Sequence, residues 1–327
     1  MFYPTTPKKS CQPYGDTEIL HDIDDRGRER PWATHKLAGQ VLAAAYDVSG
    51  DNKKAARVRT CGDVLQFAVT KAGLKLEHAI FCRCRLCPTC QWRRALKLYG
   101  QAYSVVSYLA TKRITEGQKP YTFLMLTLTI KNVPAHELSH TLTEMGKGWQ
   151  RLMQREQITR IVQGSMRCIE ITRNAQTGEY HPHIHALIAV LPSYFKSRYY
   201  LPQEKWATLW GEACRIKYNP VVDIRKTYGD AASSMAEIAK YAAKPSDYID
   251  PSDIDTMMQV VQELDAALSH RRFVAWGGCM ASAHKMLHLD DVDTGDLIHT
   301  QTNDDEDNKI GEVSFGWMPG LRIYIRE

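Results

Sequence analysis

The chain is expected to fold as an α+β protein, with a central, mainly antiparallel β-sheet, flanking helices and an inserted or preceding cysteine-rich metal module. Three observations lead there. Short apolar runs rich in β-branched and aromatic residues recur between residues 121 and 190, two of them separated only by turn formers. Longer stretches carry apolar residues at spacings of three and four, as amphipathic helices do. Five of the nine cysteines fall between Cys61 and Cys90.

Taken in order, residues 1 to about 35 are polar, contain Pro4, Pro7, Pro13 and Pro31 and show no sustained period, so an arm or loose extension is expected within an N-terminal segment 1–55. Residues 56–115 hold the cysteine cluster and run into Trp92-Arg93-Arg94-Ala95-Leu96-Lys97-Leu98-Tyr99, whose spacing predicts a helix to about Thr111. A main domain follows over 116–285. Tyr121 to Ile130, bounded by Pro120 and Pro134, reads as a buried strand. Glu137 to Glu156 carries Leu138, Leu142, Met145, Trp149, Leu152 and Met153 on one helical face. Ser165 to Arg173 and Tyr180 to Val190 read as a hairpin closed by Asn174-Ala175-Gln176-Thr177-Gly178-Glu179. Further helices are expected over Lys205–Ile216, Asp230–Lys244 and Thr256–Arg272, and short strands over Val221–Arg225 and Leu321–Ile325. The last segment, 286–327, joins an acidic run to that final strand.

With 327 residues and 44% hydrophobic content, the chain can build one large domain or two modest ones. No run approaches the ~18 apolar residues of a membrane span, and Met1 to Lys8 lacks the apolar core of a secretion signal. An intracellular protein is therefore expected. In that setting clustered cysteines point to metal binding, while Cys11, Cys168, Cys214 and Cys279 read as buried thiols. The net charge of +5 excludes little, but its distribution is uneven. Arg83, Arg85, Arg93, Arg94 and Lys97 occur without an intervening acid, which suits a polyanion. Asp290, Asp291, Asp293, Asp296, Asp304, Asp305, Glu306 and Asp307 occur with no Lys or Arg among them, which suits a solvated or disordered loop.

The chemistry centres on His181-Pro182-His183-Ile184-His185. Residues two apart on a strand share a face, so His183 and His185 present their imidazoles together. Symmetric closure of the hairpin places Glu170 opposite His183 on that face, and a one-residue slip would remove it. Two imidazoles and a carboxylate suit Mg²⁺, Mn²⁺ or a transition metal. His181 shares the face as a ligand, an orienting group or a substrate contact.

Within the helix expected before Pro245, Glu237, Tyr241 and Lys244 stand at i, i+4 and i+7 and would share a face. A phenol has a pKa of about 10, so it needs a nearby cation to attack a phosphate. A phosphotyrosine ester would keep the energy of the broken phosphodiester and permit religation. The same residues also suit ordinary roles: Tyr241 in the core, Glu237 in a capping box with Ser234, Lys244 against the helix dipole.

Taken together, these elements resemble the HUH endonucleases, and within them the single-tyrosine replication initiators (Rep proteins) of rolling-circle plasmids. The resemblance rests on Phe81-Cys82-Arg83-Cys84-Arg85-Leu86-Cys87-Pro88-Thr89-Cys90-Gln91-Trp92-Arg93-Arg94, on Leu124–Ile130 with Asn132 and Val133, on Glu170-Ile171-Thr172, on the histidine segment and on Glu237–Lys244, in that order between about Cys61 and Gly278. It implies an RRM/ferredoxin-like sheet, a divalent cation (Mn or Mg) held by His183, His185 and Glu170, and attack by Tyr241 on the nick-site phosphate. It further implies hydrolytic termination assisted by Glu237, and contact between Lys244 and the phosphate or phenolate.

For a structural zinc, the two-residue spacing of Cys87 and Cys90 supplies half a site, and Cys61 with Cys82 is the preferred other half, Cys84 being the alternate. Arg93 and Arg94 are candidate contacts to origin DNA, single-stranded or hairpin at the nick and double-stranded at a binding site. No GxxxxGK[ST] motif occurs, so a separate host helicase is the expected partner, in a bacterial cytoplasm and without membrane attachment. Three other readings stay open: a transposase or mobilisation relaxase of the same class, a non-catalytic zinc-stabilised DNA-binding repressor, and a hydrolase that uses bound water.

Overall fold

A computed structural model describes residues 18–227, 239, 243–300 and 309–327. The elements are α1 (Trp32–Val48), α2 (Asn52–Arg59), β1 (Val64–Thr70), β2 (Gly73–Ala79), α3 (Pro88–Thr115), β3 (Thr122–Thr129), α4 (Ala135–Met153), α5 (Glu156–Thr159), β4 (Val162–Arg173), β5 (Tyr180–Val190), α6 (Gln203–Cys214), β6 (Val222–Lys226), α7 (Ile254–Leu268), β7 (Val274–Gly277), α8 (Gly278–Met286), β8 (Lys309–Met318) and β9 (Ile323–Arg326). The architecture is α+β with two antiparallel sheets, as expected from the sequence.

The larger sheet runs β6-β3-β5-β4-β7. Its centre is the β4–β5 hairpin, whose turn is closed by the Asn174 N–H bonding to the Glu179 carbonyl and by Gly178 at a φ of 73°. That φ is the left-handed region glycine tolerates. The register that follows pairs Glu170 with His183 and Cys168 with His185, while β3 sets Thr127 opposite His185 on the other side.

Alternation then divides β5 between two cores. Tyr180, Ile184, Ala186, Ile188 and Val190 join Leu138, Leu142, Trp149, Trp206, Trp210 and Val260 from α4, α6 and α7. Leu187 and Ala189 face the other way, against Leu98, Ala102 and Val105 of α3 and Met280 and Ala283 of α8. The histidines continue this second face beyond the end that the helices cover.

Several expectations change. Residues 32–55, expected in an N-terminal extension, form α1 and the start of α2. Trp32 and Leu20 are buried, and Ile19 bridges to Ile325. The helix through Trp92 begins at Pro88, because proline fits a first helical turn whose N–H needs no partner. Strand pairing and packing cross the positions 55, 115 and 285. β1 and β2 pair with β8 and β9 in a second sheet ordered β2-β1-β8-β9, and α3 packs on the main one. The helix expected over Asp230–Lys244 lies mostly outside the described residues. Its last residue is not helical: Lys244 has φ −70° and ψ 133°. Pro245 disfavours helical geometry at the residue before it.

Candidate active site

The two acid–imidazole strands build the site by register alone. Glu170 and His185 are 4% and 5% exposed, and His185 Nε2 donates to Glu170 Oε2 at 2.7 Å. With the proton on Nε2, Nδ1 of His185 accepts from the hydroxyl of Thr127 at 3.2 Å. The rings of His183 and His185 are 5.8 Å apart and nearly parallel, and those of His181 and His183 are 4.3 Å apart. Lys244 brings its ammonium to 3.9 Å from Glu170 Oε1.

His183 is the unsatisfied member. Its Nδ1 is buried and has no hydrogen-bond partner among the described residues. Burial, reinforced by His181, holds its pKa down to about 4, so at neutral pH it carries a lone pair rather than a charge. A buried imidazole nitrogen beside a second histidine and a carboxylate fits a divalent cation by donor chemistry. The ligand atoms of the three do not all lie within 4.8 Å of one another, although Glu170 and His185 are hydrogen-bonded to each other.

The cysteine cluster is drawn together. Among the described residues, Cys61, Cys82, Cys87 and Cys90 form the only group of three or more His, Cys, Asp or Glu side chains whose ligand atoms all lie within 4.8 Å of one another. Sulfur–sulfur distances are 3.6 Å for Cys61–Cys90 and Cys82–Cys90, and 3.7 Å for Cys61–Cys87. A tetrahedron with metal–sulfur bonds of about 2.3 Å has edges of about 3.8 Å, so these residues fit a zinc ion. Hydrogen bonding with Cys61, Cys82 and Cys90 holds the Cys87 thiol well below its usual pKa. The backbone N–H groups of Cys82 and Arg83 point at Cys61 Sγ (3.3 Å) and Cys90 Sγ (3.2 Å), as they would at thiolates. Cys84 is buried but stands outside the four.

Arg93 and Arg94 are not where phosphate contacts require them. Arg93 is 4% exposed and donates from Nε to the Leu297 carbonyl (2.8 Å) and from Nη2 to that of Ile298 (2.5 Å). Arg94 is buried on the carbonyls of Arg83 (2.9 Å) and Cys84 (3.4 Å). Lys97 pairs with Asp290, and Arg85 with Asp293, each at 2.5 Å. Lys97 and Arg85 are thus paired with acids of residues 290–300, and Arg93 and Arg94 with backbone carbonyls, which corrects the expectation that Arg93 and Arg94 contact DNA. Residues 301–308 lie outside the described residues.

Tyr241 and Glu237 also lie outside the described residues. Their described neighbours are Ala239 and Ala243, both buried, with Ala243 bridged to Ile171, the residue after Glu170. The sequence reading missed Thr127, although strand alternation from Tyr121 would have put it on the histidine face. It also missed Gln91 and Tyr248, for which no local signal exists.

Among the described residues no helix is long and apolar enough to cross a membrane. The family model described as "Replication protein" matches residues 73–325. A "Protein rep" of Bacillus amyloliquefaciens is 34% identical over 340 residues, covering 95% of this chain and 98% of its own length. Another from Streptococcus pneumoniae is 36% identical over 315 residues (94% and 95%), and one from Lactiplantibacillus plantarum 37% over 297 (88% and 92%). No solved structure matches the chain.

Proposed function

The chain belongs to the replication-protein family as a plasmid replication initiator, and on that premise we propose that it nicks and rejoins one strand of origin DNA through a phosphotyrosine on Tyr241. The observation that carries this reading is the face shared by Glu170, His183 and His185, with the orphaned Nδ1 of His183 on it and the Lys244 ammonium 3.9 Å from Glu170.

His183, His185 and Glu170 would hold Mn²⁺ or Mg²⁺, which would polarise the scissile phosphate. Tyr241 lies two residues from Ala243, a reach of at most about 7 Å of extended chain. Its oxygen attacks phosphorus, the bond to the 3′ oxygen breaks, the phenol proton is given up and the 3′ oxygen takes one. The products are a free 3′-OH and a 5′-phosphotyrosine. Lys244 stabilises the negative charge that gathers on the phenolate and phosphate. In termination Glu237 takes a proton from water, which hydrolyses the ester. The cysteines hold a structural zinc, and unwinding falls to a separate host helicase in the bacterial cytoplasm. The name of the relatives supports initiation of replication over transposition or mobilisation, and the histidine face supports catalysis over simple repression.

The test is incubation of the protein with Mn²⁺ and single-stranded origin DNA, followed by a denaturing gel. A covalent adduct is expected with wild type and none with Tyr241→Phe. An undiminished adduct in that variant refutes the mechanism.

A further inference from the structure

A second set of buried polar contacts connects the cysteine module to the chain that follows residue 242. Tyr248, 2% exposed, donates its hydroxyl proton to the Leu86 carbonyl at 2.5 Å and accepts from Gln91 Nε2 at 2.8 Å. Gln91, 4% exposed, also accepts at Oε1 from the Ala243 backbone N–H at 3.5 Å. Leu86 immediately precedes Cys87 and Gln91 immediately follows Cys90. The Gln91 N–H donates to the Cys87 carbonyl at 2.9 Å, so the cluster and the clamp share one turn of backbone.

At the other end, Asp247 N–H bonds the Lys244 carbonyl, and the N–H groups of Tyr248 and Ile249 bond that of Pro245, closing a tight turn. Ala243 is bridged to Ile171 beside Glu170. β7 pairs with β4 only at Ser165–Cys168, so beyond it the β4 edge meets residues 243–249 through this bridge, through the Arg173 backbone N–H bonded to the Asp247 carboxylate and through the Lys244–Glu170 pair. The Lys244–Glu170 pair adds little, because the lysine is half exposed. Tyr248 and Ile249 also pack on the core, but apolar burial has no direction. A buried glutamine that places both ends of its amide on one segment does supply direction.

We propose that Gln91 and Tyr248 are positioning residues. Set by the cysteine cluster, they clamp residues 243–248 to the β4 edge, which holds Lys244 beside Glu170 and fixes the point from which the chain runs back to Tyr241. The reaction itself touches neither residue. The inference rests on the reading of Tyr241 as nucleophile.

The experiment compares wild type, Tyr248→Phe, Gln91→Leu and the double variant, each as the full zinc-loaded chain. Tyr248→Phe keeps the ring and removes only the hydroxyl, so the core stays filled. Two readouts are needed. The first is amide hydrogen exchange over residues 243–249 without DNA or added divalent cation, expected to be faster in both single variants. The second is the single-turnover rate of adduct formation on Mn²⁺ and origin DNA. At saturating DNA it is expected to fall about tenfold or more, because small displacements of a nucleophile are costly. The half-saturating DNA concentration stays within about twofold, and the double variant is no slower than the slower single one, since both cut one linkage. Unchanged exchange overturns the proposal. So does faster exchange with an unchanged adduct rate, or a loss of DNA affinity that accounts for the whole effect. No adduct from wild type, with faster exchange in the variants, overturns the tyrosine reading and leaves the clamp as a fact of the fold.

Discussion

Glu170 pairs in register with His183, yet its carboxylate bonds diagonally to Nε2 of His185 at 2.7 Å. One acid therefore orients one imidazole while standing beside the other. A glutamine in its place would keep the shape and remove the charge.

The variant Glu170→Gln is expected to weaken Mn²⁺ binding about 10- to 100-fold, the usual cost of losing a carboxylate that binds or orients a metal ligand. Glu170→Ala should weaken it further, because His185 then loses its partner. Titration calorimetry of the zinc-loaded protein with Mn²⁺ checks both. Equal affinities in wild type and Glu170→Ala would exclude the carboxylate from the site.

Burial lowers the pKa of His183 and of His35 to about 4 each. The unfolded chain protonates these imidazoles near 6.5, so below that value it binds more protons than the folded chain. Stability contributed by the neutral rings is complete above about 6.5 and is lost as pH falls towards 4. Urea midpoints measured with no added divalent cation should fall across this window, and His183→Asn should flatten the slope. A flat wild-type profile would contradict the assignment.

Removing one sulfur of the cluster has a different signature from removing its neighbour. Cys61→Ser or Cys90→Ser is expected to abolish stoichiometric zinc and to unfold the module under strong chelation, since the metal's binding energy is folding energy. Cys84→Ser should keep one zinc per chain and cost about 1 kcal/mol or less. Elemental analysis and thermal melts distinguish the two classes.

Arg93→Ala leaves the carbonyls of Leu297 and Ile298 without their donor in the interior. A loss of roughly 2–3 kcal/mol in denaturant unfolding is expected. The dependence of DNA affinity on salt should not change. If Arg93 neutralised a phosphate, the logarithmic slope would drop by about 0.7–0.9.

What could be read from residues was what neighbouring residues decide. The β4–β5 register followed from a strong local turn at Asn174–Gly178 and from a period of two, so the Glu170–His183 pairing was visible before any coordinates. The four cysteines were legible because Cys87 and Cys90 open a helix and Cys61 is followed by Gly62, whose φ of 66° turns the chain there. Long-range pairing was not. Nothing in Val64–Thr70 indicates that its partner is Lys309–Met318. Nor do Arg85 and Lys97 state whether their counterion is a nucleic acid or Asp293 and Asp290 of the same chain. The expected helix ends one residue too late at Lys244, because the ring of Pro245 restricts the residue before it as well as its own position.

The second sheet has a consequence for how the protein is made. β1 lies between β2 and β8, and its aromatic core sets Trp32, Phe67 and Trp92 against Phe315, Trp317 and Tyr324. A ribosome emits the β1–β2 hairpin long before β8 exists. Throughout that interval the nascent chain carries an open strand edge beside uncovered tryptophans, the combination that invites aggregation and chaperone capture. Translation that stalls before residue 309 thus yields a fragment with its histidine strands complete and its amino-terminal sheet unfinished.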